Sequence, residues 1–203
     1  MARHTKNRRT KTRADVRHNE HSGVAIRLPD MTEADVLEAL EQIETPFLLV
    51  LDGVQDPHNL GACLRSAEAA GVDFVIAPAK HTCGITETVR MVSCGGADSV
   101  PYIRVPNLNR FLEKLIELEI TLVGTGDEES SLLYDVDMTG RLAVVAGTEA
   151  SGIRRKTAEK CDHLVRIPML GETVDCLNLS VAAGVCLFEA VRQKAVAREF
   201  NLS

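Results

Sequence analysis

The chain has 203 residues, enough for one domain with a sizeable core and an appendage. It is 45% hydrophobic, carries a formal net charge of -6, and contains no Trp, two Tyr and five Phe, so aromatic platforms for stacking unpaired bases are scarce. No apolar run approaches the length of a membrane span and the N-terminus lacks an apolar signal core, so we expect a cytoplasmic protein with no membrane partner.

The cysteines and histidines give no sign of a metal site. The six cysteines contain no C-x-x-C pair, and the six histidines show no spacing typical of ligands. We therefore expect no metal, and reduced thiols of which several lie in apolar surroundings.

Charge is distributed unevenly along the chain. Residues 1–21 contain seven Lys and Arg against two acids, whereas the remainder is strongly acidic. A basic arm on an acidic body can hold a polyanion, although a solvated, disordered tail with no partner fits equally well. We predict a flexible basic arm over residues 1–30 and a folded domain with a leading helix over residues 31–203.

Strands and helices are predicted to alternate after the leading helix. Thr32 can cap that helix, which is predicted over 33–43. The predicted strands are 47–51, 74–76, 100–105, 121–123, 142–146 and 163–167. The first helix after a predicted strand begins near Leu60 and ends at Gly71. The later predicted helices cover 86–92, 108–119, 153–160 and 177 to about 200.

This alternation predicts an α/β domain with a mostly parallel sheet flanked by helices. Ligands of such sheets bind beyond the carboxyl ends of the strands. Four polar, glycine-containing or turn-forming loops are predicted there: 52–59, 124–130, 147–152 and 168–177. The last helix has no charge from residue 177 to residue 188, so it is predicted to be buried nearly all round.

Several common catalytic motifs are missing from the sequence. It contains no G-x-x-x-x-G-K-[ST], no G-x-G-x-x-G after the first strand, no G-x-S-x-G and no H-E-x-x-H. P-loop phosphate chemistry, a nicotinamide site, an α/β-hydrolase elbow and a zincin site are therefore unsupported.

The first candidate motif reads DPHNLGACLRSA, from Asp56 to Ala67. Asn59 stands at the predicted helix start, where its amide can cap the helix or meet a ligand. Arg65 lies off the apolar stripe, so its side chain should reach solvent or a cleft. An ion pair with Glu68 and a phosphate or ribose contact are both open at this point.

The second candidate motif, AGTEASGIRRK, follows a predicted strand. Gly147 and Gly152 allow the backbone to turn tightly and approach a ligand, and Glu149 lies between them. Arg154 and Arg155 open the next predicted helix, at the end that attracts anions. A solvated basic turn is an equally good interpretation of the composition alone.

The third candidate motif, RIPMLGETVDCLNLSVAAG, joins a buried strand to a buried helix. Pro168 ends the strand, Gly171 lies in the loop, and Asn178 and Ser180 stand at the mouth of the helix. Backbone groups in such a loop need hydrogen-bond partners, which a ligand could supply. A helix capped by Asn178 or Ser180 is the simpler interpretation.

Together the three motifs resemble the SpoU (TrmH-like) branch of the SPOUT RNA methyltransferases. The shared pattern is N-x-G-x-x-x-R-S-A, then G-x-E-x-x-G, then I-P-M-x-G and L-N-x-S-x-A, and the resemblance covers about residues 47–193. Within that branch, LDGVQDPHNLGACLRSA and CLFEAVRQ resemble enzymes that 2'-O-methylate a guanosine of large-subunit ribosomal RNA. The resemblance implies a trefoil knot near the C-terminus and a homodimer whose active site takes residues from both subunits.

The resemblance also implies roles for individual residues, with S-adenosylmethionine as cofactor and no metal. The residues implied in cofactor binding are Thr125, Gly147, Gly152, Ile167, Met169 and Leu177. The residues implied in catalysis are Arg65, which would activate the 2'-hydroxyl, and Asn59, Glu149, Asn178 and Ser180, which would orient the ribose, Arg65 and the loops. Because arginine is a poor base, we expect Arg65 to stabilise the developing alkoxide instead, helped by an RNA phosphate. The residues expected to contact RNA are Arg8, Arg9, Lys11, Arg13, Arg154 and Arg155.

The sequence departs from the family pattern in the third motif. Five residues separate Gly171 from Leu177 where four are usual, and Cys176 replaces a usual Ser. Ribosomal RNA is the expected substrate and tRNA the nearest alternative. A non-catalytic RNA-binding protein that keeps the fold is a second alternative, and a small-molecule methyltransferase is disfavoured by the basic arm.

Overall fold

The computed structural model of the chain describes residues 31–127, 129–148 and 152–200, so the predicted arm lies outside the described residues. The strands are β1 (Phe47–Asp52), β2 (Phe74–Pro78), β3 (Tyr102–Val105), β4 (Thr121–Thr125), β5 (Ser131–Leu132), β6 (Leu142–Gly147) and β7 (His163–Arg166). The helices are α1 (Glu33–Gln42), α2 (Pro57–Ala70), α3 (Glu87–Ser93), α4 (Gly96–Ser99), α5 (Leu108–Glu117), α6 (Arg155–Ala158) and α7 (Leu179–Phe200), with a 3₁₀ turn at Leu133–Asp135.

The seven strands form one parallel sheet in the order β3-β2-β1-β6-β4-β7-β5. β1 and β6 are neighbours near the middle, with Phe47 opposite Leu142 and Asp52 opposite Gly147. Every residue of these two strands is buried, as continuous apolar runs in a covered parallel sheet predict. The predicted α/β architecture is therefore confirmed, and the carboxyl ends of all strands share one edge.

Two helical layers cover the sheet because successive side chains of a strand point to opposite faces. Leu49 and Leu51 of β1 pack in the layer that contains residues of α2, α3 and α7. Leu48 and Val50 pack in the layer built from α1 and α5. Helix α7 lies against α2 and β6, so it belongs to the buried side of the domain.

Local capping sets the ends of the first two helices. Thr32 caps α1 and exchanges hydrogen bonds with Asp35 in a capping box, as predicted. Gly71 ends α2 with φ of 80°, also as predicted. The start of α2 differs from the expectation, because the side chain of Asp56 accepts from the amide of His58 at 2.9 Å. Asn59 is instead the third residue of that helix.

Helix α7 is anchored at its middle to the segment before β6. The side chain of Gln193 accepts from the amide of Met138 at 2.8 Å and donates to the carbonyl of Val136 at 3.0 Å. It also donates to the carboxylate of buried Glu189 at 2.8 Å, which receives two hydrogen bonds from Arg192. Gln193, supported by Glu189 and Arg192, therefore holds α7 against residues 136–138.

Several elements differ from the prediction. Strand β5 was not predicted, since two residues at a sheet edge show no periodicity, and the short helix α4 was not predicted either. Helix α6 is shorter than the predicted span 153–160. Helix α7 is not buried all round: Val181, Phe188 and Val196 are 50%, 48% and 41% exposed. Their apolar character predicts burial, but no described part of this chain covers that face.

No helix in the described part of the chain is both long and apolar enough to cross a membrane. The six cysteines all lie in that part and none forms a disulfide. Burial raises the pKa of Cys186 to about 12, so this thiol stays protonated at neutral pH. The predicted trefoil knot stays a prediction.

Candidate active site

A cavity of about 860 Å³ lies at the carboxyl edge of β4, β6 and β7. Its size falls within the range of roughly 300–1,000 Å³ that small-molecule sites occupy. The six residues predicted to bind the cofactor all line it: Thr125, Gly147, Gly152, Ile167, Met169 and Leu177. The structure therefore brings together residues that are up to 52 positions apart in the sequence.

One wall of the cavity follows β6, and we call its described residues 147, 148 and 152–154 the closed wall. A Cβ on Gly147 would lie 2.0 Å from the carbonyl carbon of Gly152, so only glycine fits there. Thr148 and Gly152 exchange backbone hydrogen bonds of 3.0 and 2.8 Å, and Gly152 has φ of 60°. Glu149 lies between them, outside the described residues.

An ion pair between buried Asp52 and half-exposed Arg154 fixes the end of the closed wall. Asp52, at the carboxyl end of β1, accepts from the backbone amide of Arg154 at 3.0 Å and from its Nε at 2.7 Å. The Arg154 Nη2 also pairs with the same carboxylate. The guanidinium of Arg154, which was predicted to contact RNA, is thus bound by Asp52 of the same chain. The exposed Arg155 forms an ion pair of 2.8 Å with Glu159, four residues further along.

Sequence reasoning did not single out Asp52. A signal for it exists, because it is the one charged residue in the otherwise apolar run FLLVLD. A carboxylate that closes a buried strand needs a partner at the sheet edge.

The opposite wall is an irregular segment, which we call the open wall (residues 168–177). Within the described chain it contains no helix or strand and makes no backbone-to-backbone hydrogen bond. Residues 169–176 are exposed, and Leu170 is 97% exposed. Cys176 lines the cavity, so both departures from the family pattern fall in this wall.

Three residues predicted to act in catalysis form one hydrogen-bonded group next to the cavity. The Nδ2 of Asn178 donates to the Oδ1 of Asn59 at 3.0 Å. The Oδ1 of Asn178 accepts from the amide and the hydroxyl of Ser180, at 2.9 and 2.7 Å. Asn178 thereby joins the starts of α2 and α7 beside Leu177 and Leu179, which line the cavity.

Arg65 lies outside the cavity of its own chain. It is exposed, as predicted, and forms no ion pair with a described residue, so the alternative of a pair with Glu68 is not realised. Its neighbour Ser66 lies close to α7, since a Cβ on Gly184 would be 3.6 Å from the Ser66 hydroxyl. Arg65 itself lies on the exposed face of α2. The arm residues Arg8, Arg9, Lys11 and Arg13 lie outside the described residues.

The described lining of the cavity contains three charged residues, Asp127, Arg166 and Asp175. Arg166 closes β7, and its Nε is buried with no hydrogen-bond partner in the described part of the chain. Sequence reasoning missed this residue, although a cation at the end of a predicted apolar strand could have been noted. The described residues contain no group of three or more His, Cys, Asp or Glu placed to hold a metal ion.

The sequence pattern of the SpoU rRNA Methylase family matches residues 46–188, most of the described domain. The chain belongs to the SpoU rRNA methylase family. This confirms the resemblance drawn from the three motifs.

Individual members of the SpoU rRNA methylase family are similar to this chain over most of its length. The chain is 53% identical over 178 residues to 23S rRNA (guanosine-2'-O-)-methyltransferase RlmB of Photorhabdus laumondii, covering 86% of this chain and 72% of that protein. It is 51% identical over 178 residues to RlmB of Escherichia coli, covering 86% and 73%. The SpoU methyltransferase AviRb from Streptomyces viridochromogenes, in complex with AdoMet, gives a TM-score of 0.72 at 29% identity, covering 79% of this chain and 65% of that chain.

Proposed function

We propose that this chain transfers a methyl group from S-adenosylmethionine to the 2'-hydroxyl of a guanosine in 23S ribosomal RNA. The observation that carries the proposal is the meeting of the six predicted cofactor residues around one cavity, beside the hydrogen-bonded group of Asn59, Asn178 and Ser180. Two relatives more than half identical to the chain are named for this reaction.

The residues of the cavity fit S-adenosylmethionine. Gly147 leaves room only for backbone at the closed wall, so main-chain groups of this wall can approach a ligand directly. Asp127 and Asp175 give the lining acidic groups that suit a cationic ligand. When bound, S-adenosylmethionine supplies a methyl group activated by its attachment to a positively charged sulfur.

Arg65 is proposed to stabilise the ribose oxygen as that oxygen loses its proton. An arginine side chain stays protonated in proteins, so it is suited to stabilising an anion and not to accepting the proton. Asn59, Asn178 and Ser180 present amide and hydroxyl groups that can orient the ribose. The 2'-hydroxyl as acceptor selects RNA over DNA.

The position of Arg65 leads to a second part of the proposal, a homodimer. Because Arg65 lies outside its own cavity, Arg65 of the partner subunit would have to complete the site. Val181, Phe188 and Val196 follow one another at intervals of seven and eight residues, which places them on one face of α7. This exposed apolar face supports α7 as the contact between two copies.

The basic arm and Arg155 are proposed to bind RNA phosphates. The proposed location of the reaction is the cytoplasm. Arg155 is 92% exposed at its side chain, so a phosphate can reach it. The expected signature is binding that weakens steeply with salt, and a smaller salt dependence once residues 1–21 are removed.

Two measurements test the function. Mapping of 2'-O-methyl groups in total RNA with and without the gene should show one guanosine of 23S ribosomal RNA that loses its methyl group. In methyl transfer with purified protein, Arg65→Ala should abolish turnover but leave cofactor affinity nearly intact, whereas the control Arg110→Gln should change neither. A missing methyl group only in tRNA would assign the alternative substrate, and full turnover by Arg65→Ala would refute its role.

The shared site can be tested by mixing two variants at a cofactor concentration well below the Kd of Gly147→Ala, where neither variant alone is active. Dimers formed from equal amounts of Arg65→Ala and Gly147→Ala chains should recover about one quarter of wild-type activity, since half of them are mixed and each mixed dimer has one intact site. No recovery in dimers shown to be mixed would contradict a site built from two subunits.

A further inference from the structure

Arg166 is the one cation among the described residues that line the cavity. The two acids of the lining are Asp127 and Asp175, and neither forms an ion pair with Arg166 in the described part of the chain. The Oδ1 of Asp127 instead accepts from the amide of Glu129 and the hydroxyl of Ser130, both at 3.2 Å. The positive charge of Arg166 is therefore not neutralised by the acids around it.

One atom of the half-buried Arg166 side chain makes this unusual. Its Nε is shielded from solvent and has no hydrogen-bond partner among the described residues, whereas buried polar atoms in proteins nearly always have one. Arg166 is the last residue of β7, opposite Leu132 of the edge strand and directly before Ile167, another residue of the lining. Its backbone is thus fixed by the sheet at the edge of the cavity.

The chemistry of the expected cofactor identifies a partner for this side chain. S-adenosylmethionine carries a sulfonium, an ammonium and one carboxylate, and the carboxylate is its single negative group. A guanidinium binds a carboxylate through two parallel N–H donors, and Nε is one of the atoms that can take part. The negative charges of Asp127 and Asp175 can attract the sulfonium and the ammonium.

We propose that Arg166 binds the carboxylate of the methionine part of S-adenosylmethionine and so orients the cofactor in the cavity. This inference rests on the proposed function. It assigns the buried Nε a partner that completes its hydrogen bonding, and it makes Arg166 a cofactor-binding residue in addition to the six derived from the sequence.

The test is a calorimetric titration of the full chain with two ligands. One is S-adenosylmethionine, and the other is decarboxylated S-adenosylmethionine, which lacks only the carboxylate. Arg166→Gln should weaken binding of the first ligand at least about 10-fold and change binding of the second less than about 2-fold. Arg166→Lys should fall between wild type and Arg166→Gln, because an ammonium keeps the charge but lacks the fork.

The control variant is Arg110→Gln on α5, an exposed arginine away from the cavity, which should bind both ligands as wild type does. Circular dichroism and thermal unfolding check that each variant is folded. Should Arg166→Gln fail to fold, the wild-type protein carries the test alone, since it should prefer the carboxylated ligand at least about 10-fold.

The outcomes separate this inference from the proposed function. Wild type that binds neither ligand would overturn the proposed function. Wild type that binds both ligands equally, or Arg166→Gln that loses the same affinity for both, would overturn the role of Arg166 alone. Unchanged cofactor affinity together with weakened ribosomal RNA binding would assign Arg166 to a phosphate and would also overturn it.

Discussion

The two walls of the cavity are built in opposite ways. The closed wall is restricted by Gly147, by the paired backbone of Thr148 and Gly152, and by the ion pair of Asp52 with Arg154. The open wall makes no backbone-to-backbone hydrogen bond in the described chain and is exposed from residue 169 to residue 176. The extra residue and Cys176 both fall in the open wall, where the backbone is not held by such pairing.

The largest difference between the walls should come from adding one methyl group. Gly147→Ala places a Cβ 2.0 Å from backbone, and if the overpacking cost of about 1–3 kcal/mol falls on the cofactor site it lowers cofactor affinity about 5- to 150-fold. Gly171→Ala adds the same group where nothing lies within 4 Å, so it should change affinity less than about 3-fold. Equal effects in calorimetry would show that the walls do not differ in rigidity.

Breaking the ion pair should loosen the closed wall. Arg154→Met leaves the carboxylate of Asp52 buried without its cation and should lower the free energy of unfolding by about 2 kcal/mol, a value reduced because Arg154 is half-exposed. The double variant Asp52→Asn with Arg154→Met should recover part of this loss. Urea unfolding measures both, and a single variant as stable as wild type would contradict the anchoring role.

A pH titration sharpens the comparison by testing what holds α7, the helix that follows the open wall. Hydrogen bonds from Arg192 hold the pKa of Glu189 below its ordinary range. The ionised Glu189 therefore stabilises the folded chain fully above the pKa of an unfolded Glu, about 4.3, and this stabilisation is lost as the pH falls through the pKa of Glu189 in the folded chain. Glu189→Gln should therefore cost about 1 kcal/mol at pH 7 and progressively less below about pH 4. The difference between wild type and variant in urea unfolding should shrink with acid, and a difference independent of pH would exclude this carboxylate as its cause.

The smallest effect is expected in the open wall itself. Cys176→Ser restores the residue usual in the family at an exposed position, so unfolding free energy should change by less than about 0.5 kcal/mol and cofactor affinity by less than about 3-fold. A large gain in affinity on calorimetry would mean that Cys176 weakens the site and that the open wall is more constrained than its contacts indicate.

Elements set by local chemistry could be predicted from the sequence. The cap at Thr32, the left-handed Gly71 and the buried run FLLVL all depend on neighbours in the chain, and they were placed within one or two residues. Strand β5 could not be predicted, because its two residues form a strand only through pairing with β7.

Contacts between distant segments were beyond sequence reasoning. Arg141 donates to the carbonyls of Leu118, Ile43 and Leu40 at 3.1, 2.9 and 3.2 Å, and so ties the ends of α1 and α5 together without belonging to any motif. The same holds for the site: the motifs named Asn59 and Asn178 separately, and only the fold shows that they are hydrogen-bonded.

The placement of β6 beside β1 has a consequence for how the chain is made. Since roughly 95 residues separate Phe47 from its partner Leu142, a translation rate of about 5–20 residues per second leaves one side of the apolar strand β1 unpaired for about 5–20 seconds. During that interval the apolar segment FLLVL can pair with other growing polypeptides. We expect chaperone dependence during biosynthesis to exceed what the stability of the finished domain would suggest.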